Sequence, residues 1–403
     1  MPPRDLIQLP GNTLEGGGQL VRISIGLSSL LSLPIHIPRI RAGRPAGGGL
    51  KAQHLTCVNW LSKARDARTV GAEKKSRELE FWPSIKDTNH REVFWTKEPP
   101  KRIININIGT PGSMTLTVQA VLPYIIFAAS ETEAESVNVK NNAPGTIELR
   151  IIGGTNVSHS PSVEYLDQVM FPILSAHVLP RELPPLRMEV SKRCWAIGSN
   201  DSLGKATFWI PTMPFGSAIP AFEMKDRGEI TKICASIIVP EVEISKFKKA
   251  LIDEDIGTEL EIIIEEDSGH PKRFYLLLVA HTSNGYKLGR DLLYNRFDHK
   301  KMAPESETAT YMVETCLKAL KKEIEHGGCV DEFMQDELVV FQALASGRSF
   351  VYAGRGVEEG SLHTQTARWV AETLTGIVFD SEGKFGVEGV GLKAGSLEWE
   401  NKS

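Results

Sequence analysis

His363 stands in the run Ser361-Leu362-His363-Thr364-Gln365-Thr366-Ala367, at the start of a helical pattern and behind the glycine-rich stretch Gly354 to Gly360. A neutral imidazole is a competent nucleophile toward phosphorus; a histidine so placed also serves as a plain helix N-terminal contact. A second run, Glu15-Gly16-Gly17-Gly18-Gln19 with Arg22 just beyond it, puts three glycines ahead of a helix. Glycines let backbone N–H groups come close to an anion. Glu15 could hold a divalent metal that bridges phosphates, and the plain alternative is a tight turn. The run is neither a P-loop nor a dinucleotide fingerprint. Arg41-Ala42-Gly43-Arg44-Pro45 sets two guanidiniums around a glycine and leads on to Gln53-His54-Leu55. The pair suits bidentate contact with phosphate oxygens, or else is simply solvated. Gln119 interrupts an apolar helix, as a hydrogen-bonded core residue or as a contact that points into a site. In Asp331-Glu332-Phe333-Met334-Gln335-Asp336-Glu337-Leu338, helical spacing puts Phe333, Asp336 and Glu337 on one face. An aromatic ring beside carboxylates can stack a base; the alternative is Phe333 as core and the acids as a solvated face.

These residues need elements to hold them. The spacing of Leu20, Ile23, Leu27, Leu30 and Leu31 predicts a helix after the first glycine run. Pro34 to Ile40 reads as a strand, and Leu55, Val58 and Leu61 mark a second helix. The pattern then recurs. A strand is expected at Arg102 to Ile108, a turn at Gly109-Thr110-Pro111-Gly112-Ser113, and a helix from Met114 to Ala129. A strand at Thr146 to Ile152 leads through Gly153-Gly154-Thr155-Asn156 to a helix over 161–178. Repeated strand, turn and helix imply an α/β fold. Residues 184–222, rich in Pro, Gly and Ser, read as loop. From Lys232 the texture changes: strands at 232–239, 259–265 and 273–281 surround a charged helix from Ser245 to Leu251, as a small inserted domain would. Helices are expected over 307–325, 331–345 and 363–374.

Composition sets outer limits. A chain of 403 residues is long enough for two or three folding units. The formal net charge of -4 argues against a broad grip on nucleic-acid backbone and leaves room for recognition of one RNA end by a few arginines. The five cysteines (Cys57, Cys194, Cys234, Cys316, Cys329) are scattered and form no CxxC pair. They suit a reducing compartment better than a disulfide or zinc framework. No apolar run reaches membrane-spanning length and no signal-peptide pattern opens the chain, so a soluble intracellular protein is expected.

Together the runs EGGGQ with Arg22, RIRAGRP…QHL, GSMTLTVQ, GGTN, VDEFMQDELVVFQALASG and SLHTQTA occur in the order seen in RNA 3'-terminal phosphate cyclases. The chain resembles that family from about residue 7 to 391. The resemblance implies a large domain of repeated units, each a four-stranded sheet with two helices, over 1–222 and 300–403, with a small inserted α/β domain at 223–299. It implies conversion of RNA 3'-phosphate ends to 2',3'-cyclic phosphates with ATP and a divalent metal, Mg or Mn. It places His363 as the residue that takes AMP, Glu15 as a metal ligand, and Arg22, Arg41, Arg44 and Gln119 as phosphate and nucleotide contacts. Phe333 stands where the family usually has a tyrosine against adenine, Pro161 is placed to cover the other face, and Asp336 resembles an acidic residue near the histidine.

Two departures qualify the pattern. Glu337 replaces the usual glutamine. The family's Arg-Gly…Pro-x-Gly-Gly-Gly signature should fall near Lys192-Arg193, where this chain reads Cys194-Trp195-Ala196-Ile197-Gly198-Ser199-Asn200-Asp201. They support an alternative, a catalytically weakened cyclase-like factor in ribosomal RNA processing; the retained His363 and glycine loop favour the enzyme. A small-molecule transferase on a similar scaffold is the more distant choice. Nuclear and cytoplasmic sites both fit, leaning nuclear for a eukaryotic member, and the oligomeric state is left open.

Overall fold

A computed structural model describes residues 5–44, 47–84, 102–128, 145–195, 202–295, 307–380 and 385–396. The first unit runs β1 (Ile7–Gln8), α1 (Gly18–Leu31), β2 (Ile35–Ile37), α2 (Ala52–Ala64), β3 (Arg68–Val70) and β4 (Leu79–Trp82). Its sheet has the order β1-β2-β4-β3; β1 and β2 are parallel and the other pairs antiparallel. A parallel pair cannot be closed by a hairpin and needs a crossover, which α1 supplies.

The second unit repeats this plan. It comprises β5 (Ile103–Asn107), α3 (Met114–Ala128), β6 (Thr146–Gly153), α4 (163–178), β7 (Arg187–Lys192) and β8 (Gly204–Pro211). The order is β5-β6-β8-β7, again with the first pair parallel. In α4 the stretches Leu166–Met170 and Leu174–Val178 wind as wider π turns around Phe171–Ile173; Pro172 has no N–H to give an ordinary helical ladder.

A third, shorter copy is split. Strand β9 (Glu223–Met224) pairs parallel with β14 (Ser346–Val351), which pairs antiparallel with β15 (Gly386–Val390). Helices α7 (Glu332–Leu344) and α8 (Leu362–Thr375) flank β14 in sequence. Between β9 and α7 lie β10 (Ile230–Val239), α5 (Glu241–Asp253), β11 (Glu259–Asp267), β12 (Arg273–Thr282), β13 (Lys287–Asn295) and α6 (Thr308–His326). Their sheet, β11-β10-β12-β13, has its own hydrophobic cluster, which includes Phe247, Phe274 and Leu276 and draws Met312 and Leu320 from α6.

Three differences from the sequence reading stand out. The segment 184–222, read as loop, contains β7 and β8. Strand β7 is a mostly exposed edge whose alternation is written in charged and short residues, and β8 buries Ala206, Phe208 and Ile210 on one face behind flanking Gly and Ser. Strands β3 and β4 went unread because they are short. The strand expected over Pro34 to Ile40 is confined to Ile35–Ile37.

Helix α1 is enclosed almost all round because it lies against α2, α3 and α8. Leu20, Val21, Ile25 and Leu31 are fully buried, each stabilising by about 1.5–3 kcal/mol. The first and third units therefore meet along α1 and α8, and their N-terminal ends lie together. All five cysteines are free and buried. Among the described residues, no helix is long and apolar enough to cross a membrane.

Candidate active site

The glycine run folds because its positions forbid side chains. Gly16 has φ near +60°, a left-handed conformation that costs glycine little. A Cβ on Gly17 would fall on the Glu15 carboxylate, and one on Gly18 on His54 Nε2. The run thus lets Glu15 fold back over the chain and His54 press against the start of α1. No side chain caps that helix, so its first N–H groups remain available to an anion.

Helix α8 meets this loop from the third unit. Ser361 caps it, with its Oγ accepting from Thr364 N–H at 3.2 Å. The backbone N–H of Glu15 donates to Thr366 Oγ1 at 3.2 Å. His363, one residue inside the helix, is exposed, and its Nδ1 lies 2.8 Å from Gln19 Oε1. Gln19 is buried, and its Nε2 donates to Asp336 Oδ2 on α7. Partial burial, then Arg22 and Arg44, lower the His363 pKa, so the ring is neutral at pH 7.

Cationic and donor groups gather around it. Arg22 is buried and makes no hydrogen bond or ion pair among the described residues; burial lowers its pKa. Arg41 is buried, has φ near +53°, and donates to the Gly49 carbonyl at 3.1 Å. Arg44 is exposed and paired with Glu15 Oε1. His54 Nδ1 accepts from Lys51 N–H at 3.2 Å, which leaves the proton on Nε2, toward Gly18. Burial and the neighbouring Arg22, Arg41 and Lys51 lower the His54 pKa to about 3. Lys51 is pushed down as well, by partial burial and by Arg41 and Arg44.

The acids lie on the other flank. Glu15 Oε2 is buried and has no hydrogen-bond partner among the described residues. An unpaired carboxylate oxygen fits a divalent cation, and the helix N–H groups beside it suit the anion that such a cation would bridge. Gln119 lines a narrow cleft with Gln19, Arg22, Asp336 and Glu337. Burial raises the pKa of both Asp336 and Glu337, and their mutual repulsion adds to it at Glu337, while Arg22 opposes.

Phe333 and Pro161 make their contacts with other residues. The Phe333 ring meets Tyr165 edge-on at 5.8 Å, and the Arg290 guanidinium lies 4.5 Å from its centroid. The Pro161 carbonyl accepts from Thr115 Oγ1 at 2.6 Å. Arg193, where the glycine signature was expected, bridges Glu164 and Glu266 in ion pairs of 2.5 Å each. Thr155 N–H donates to the Cys194 carbonyl, and Cys194 N–H donates to Thr155 Oγ1. Residues 196–201 of that segment, and Pro45 of the arginine loop, lie outside the described residues.

Sequence reasoning assigned no role to Gln19, Lys51, His54 or Thr366, which the fold brings to the same place. Three of them sit inside runs already singled out; only Lys51 carried no signal.

The family profile for RNA 3'-terminal phosphate cyclase matches residues 13–381. The chain belongs to the RNA 3'-terminal phosphate cyclase family. It is 30% identical over 386 residues to the RNA 3'-terminal phosphate cyclase of Pyrococcus furiosus, covering 95% of this chain and 97% of that one. The RNA 3'-terminal phosphate cyclase of Drosophila melanogaster is 27% identical over 403 residues, with 94% of each chain covered. A probable RNA 3'-terminal phosphate cyclase of Dictyostelium discoideum is 26% identical over 383 residues, covering 92% of this chain and 77% of that protein.

Proposed function

We propose that this chain is an ATP-dependent RNA 3'-terminal phosphate cyclase with His363 as its nucleophile. The observation that carries the reading is the exposed His363 imidazole, hydrogen-bonded to Gln19 at the uncapped start of α1 with Arg22 and Arg44 beside it. Such a surface suits a triphosphate.

The imidazole attacks the α-phosphorus of ATP; the bond to pyrophosphate breaks and a histidine–AMP phosphoramidate forms. An oxygen of an RNA 3'-phosphate then attacks that phosphorus, and the P–N bond breaks. The vicinal 2'-hydroxyl attacks the adenylated 3'-phosphate, AMP departs and the cyclic phosphate remains. Splitting the activation into two transfers replaces one difficult step by easier ones, and RNA geometry supplies proximity for the last. Arg22, Arg41, Arg44 and Gln119 hold the phosphates, and Asp336 and Glu337 border them. Glu15 would hold a divalent cation, Mg or Mn, which would supply charge neutralisation for the leaving pyrophosphate. Phe333 stacks adenine, and Pro161 closes that end. The catalytic body comprises 1–222 and 300–403, and the inserted unit 223–299; the second hydrophobic cluster supports a separate unit but extends past 299 into α6.

Glu337 is compatible with this role. Burial and the neighbouring Asp336 favour its protonated form, and a carboxylic acid offers one donor and one acceptor, as a glutamine amide does.

The test is incubation with α-labelled ATP and metal, followed by a denaturing gel. The wild type gains an acid-labile, alkali-stable label, and His363→Ala gains none. Undiminished labelling of His363→Ala overturns the assignment.

A further inference from the structure

We propose that Gln19 is the positioning residue that selects which His363 nitrogen is nucleophilic, and that Asp336 acts through it. The inference rests on the adenylation reading for its consequence but not for its geometry.

Three side chains from three helices form one directed chain. Asp336 Oδ2 accepts a hydrogen bond from Gln19 Nε2. An amide has a donor end and an acceptor end, so committing Nε2 to Asp336 turns Oε1 toward His363. That oxygen can only accept, and it lies 2.8 Å from His363 Nδ1. Nδ1 therefore carries the proton, and the lone pair of the neutral ring is on Nε2. Gln19 and Asp336 are both buried, which protects the chain from competing water. His363 is exposed, so its free Nε2 is the end that an incoming phosphorus can reach.

The arrangement differs from a carboxylate that touches the imidazole directly. A carboxylate on Nδ1 would raise the ring's pKa and favour the imidazolium. An intervening amide sets the tautomer while adding no charge, and the His363 pKa stays low. When Nε2 attacks, positive charge develops on the ring, and the Nδ1–H bond to Oε1 keeps its proton in place. Burial raises the Asp336 pKa to about 7, with the Gln19 hydrogen bond and Arg22 opposing, and a carboxyl oxygen that does not carry the proton accepts from Gln19 Nε2 in either state.

The experiment reads the tautomer directly. Protein labelled with 15N-histidine is examined by long-range 1H–15N NMR above the His363 pKa, with His363→Ala supplying the assignment. The wild type should show His363 with a protonated Nδ1 and a bare Nε2. Gln19→Leu should lose that preference and become a tautomer mixture, and its self-adenylation should slow roughly 10- to 100-fold, the usual cost of removing an orienting partner. The swap Gln19→Glu with Asp336→Asn conserves charge. The carboxylate introduced at position 19 would accept both from Nδ1–H and from the amide introduced at position 336, so the Nδ1–H tautomer should return. A Gln19→Leu protein that keeps a purely Nδ1–H ring overturns the proposal, as does a folded swap variant that lacks that tautomer. The signals need no ATP. A protein that shows this tautomer pattern yet never labels with ATP would sink the adenylation reading and leave the hydrogen-bond chain standing.

Discussion

The turn that enters α1 and the turn that enters α3 occupy the same place in two copies of one plan, yet they end differently. In the second unit the turn is closed. Ser113 N–H donates to Gln53 Oε1 at 3.0 Å, Ser113 Oγ accepts from Leu116 N–H at 3.1 Å, and Met114 N–H donates to the Gly154 carbonyl at 3.0 Å. In the first unit, among the described residues, α1 has no side-chain cap, Glu15 Oε2 is unpartnered, and Arg22 is buried without a hydrogen bond. Buried polar groups ordinarily find partners. The same scaffold satisfies the turn in one copy and leaves it unsatisfied in the other, and on the function proposed above the open copy is the one that takes the phosphates.

Changes in the open turn should therefore damage labelling with ATP, and changes in the closed one should damage stability. The largest effect after loss of His363 is expected from Glu15→Ala, a fall of roughly 10- to 100-fold in self-adenylation that deepens at low metal concentration. Unchanged metal dependence would reduce Glu15 to a turn residue. Phe333→Leu tests the far end of the site. Phe333 is 37% exposed, so leucine should leave the melting temperature nearly unchanged. Loss of stacking worth about 1–3 kcal/mol should weaken ATP use about 5- to 150-fold; a melting loss with intact ATP affinity would return Phe333 to the core. Ser113→Ala in the closed turn removes an acceptor for Leu116 N–H and should cost about 1 kcal/mol of stability, with labelling per folded molecule unchanged. Loss of labelling at full stability would break the contrast between the turns.

The smallest effect concerns pH. Burial and Asp336 raise the Glu337 pKa, so its proton leaves as pH rises and places a charge beside the phosphates. Self-adenylation by the wild type should decline on the alkaline side, and Glu337→Gln, which cannot ionise, should remove that decline with neutral-pH activity preserved. A decline that persists in Glu337→Gln would assign it to another group.

The helices and the two motif runs were legible because their information is local. Leu20 to Leu31 carries its period within one helix, and SLHTQTA carries its histidine and helix start within seven residues. Strands β3, β4 and β7 were not: β3 and β7 are sheet edges with few alternating residues, and β4, though paired on both sides, is only the four residues Leu79–Trp82. The link from Gln19 to Asp336 spans 317 positions, and no spacing rule reaches so far. Arg193 drew notice only for the missing glycines near it, and its pairing with Glu164 and Glu266 depends on the inserted sheet standing beside α4.

The split of the third unit fixes the order in which a growing chain can become competent. Chains emerge at about 5–20 residues per second and complete their early parts first. The glycine loop and the arginine cluster can form while the ribosome is still reading the inserted sheet. Phe222 must wait for Ser349, 127 positions later, and Gln19 for His363, 344 positions later. Folding of the inserted sheet into its own cluster draws the flanking segments together and shortens the search that otherwise slows long-range pairing. Until α8 arrives, a nascent chain holds the glycine loop and its arginines without His363, so the two halves of the site meet only when the chain is nearly complete.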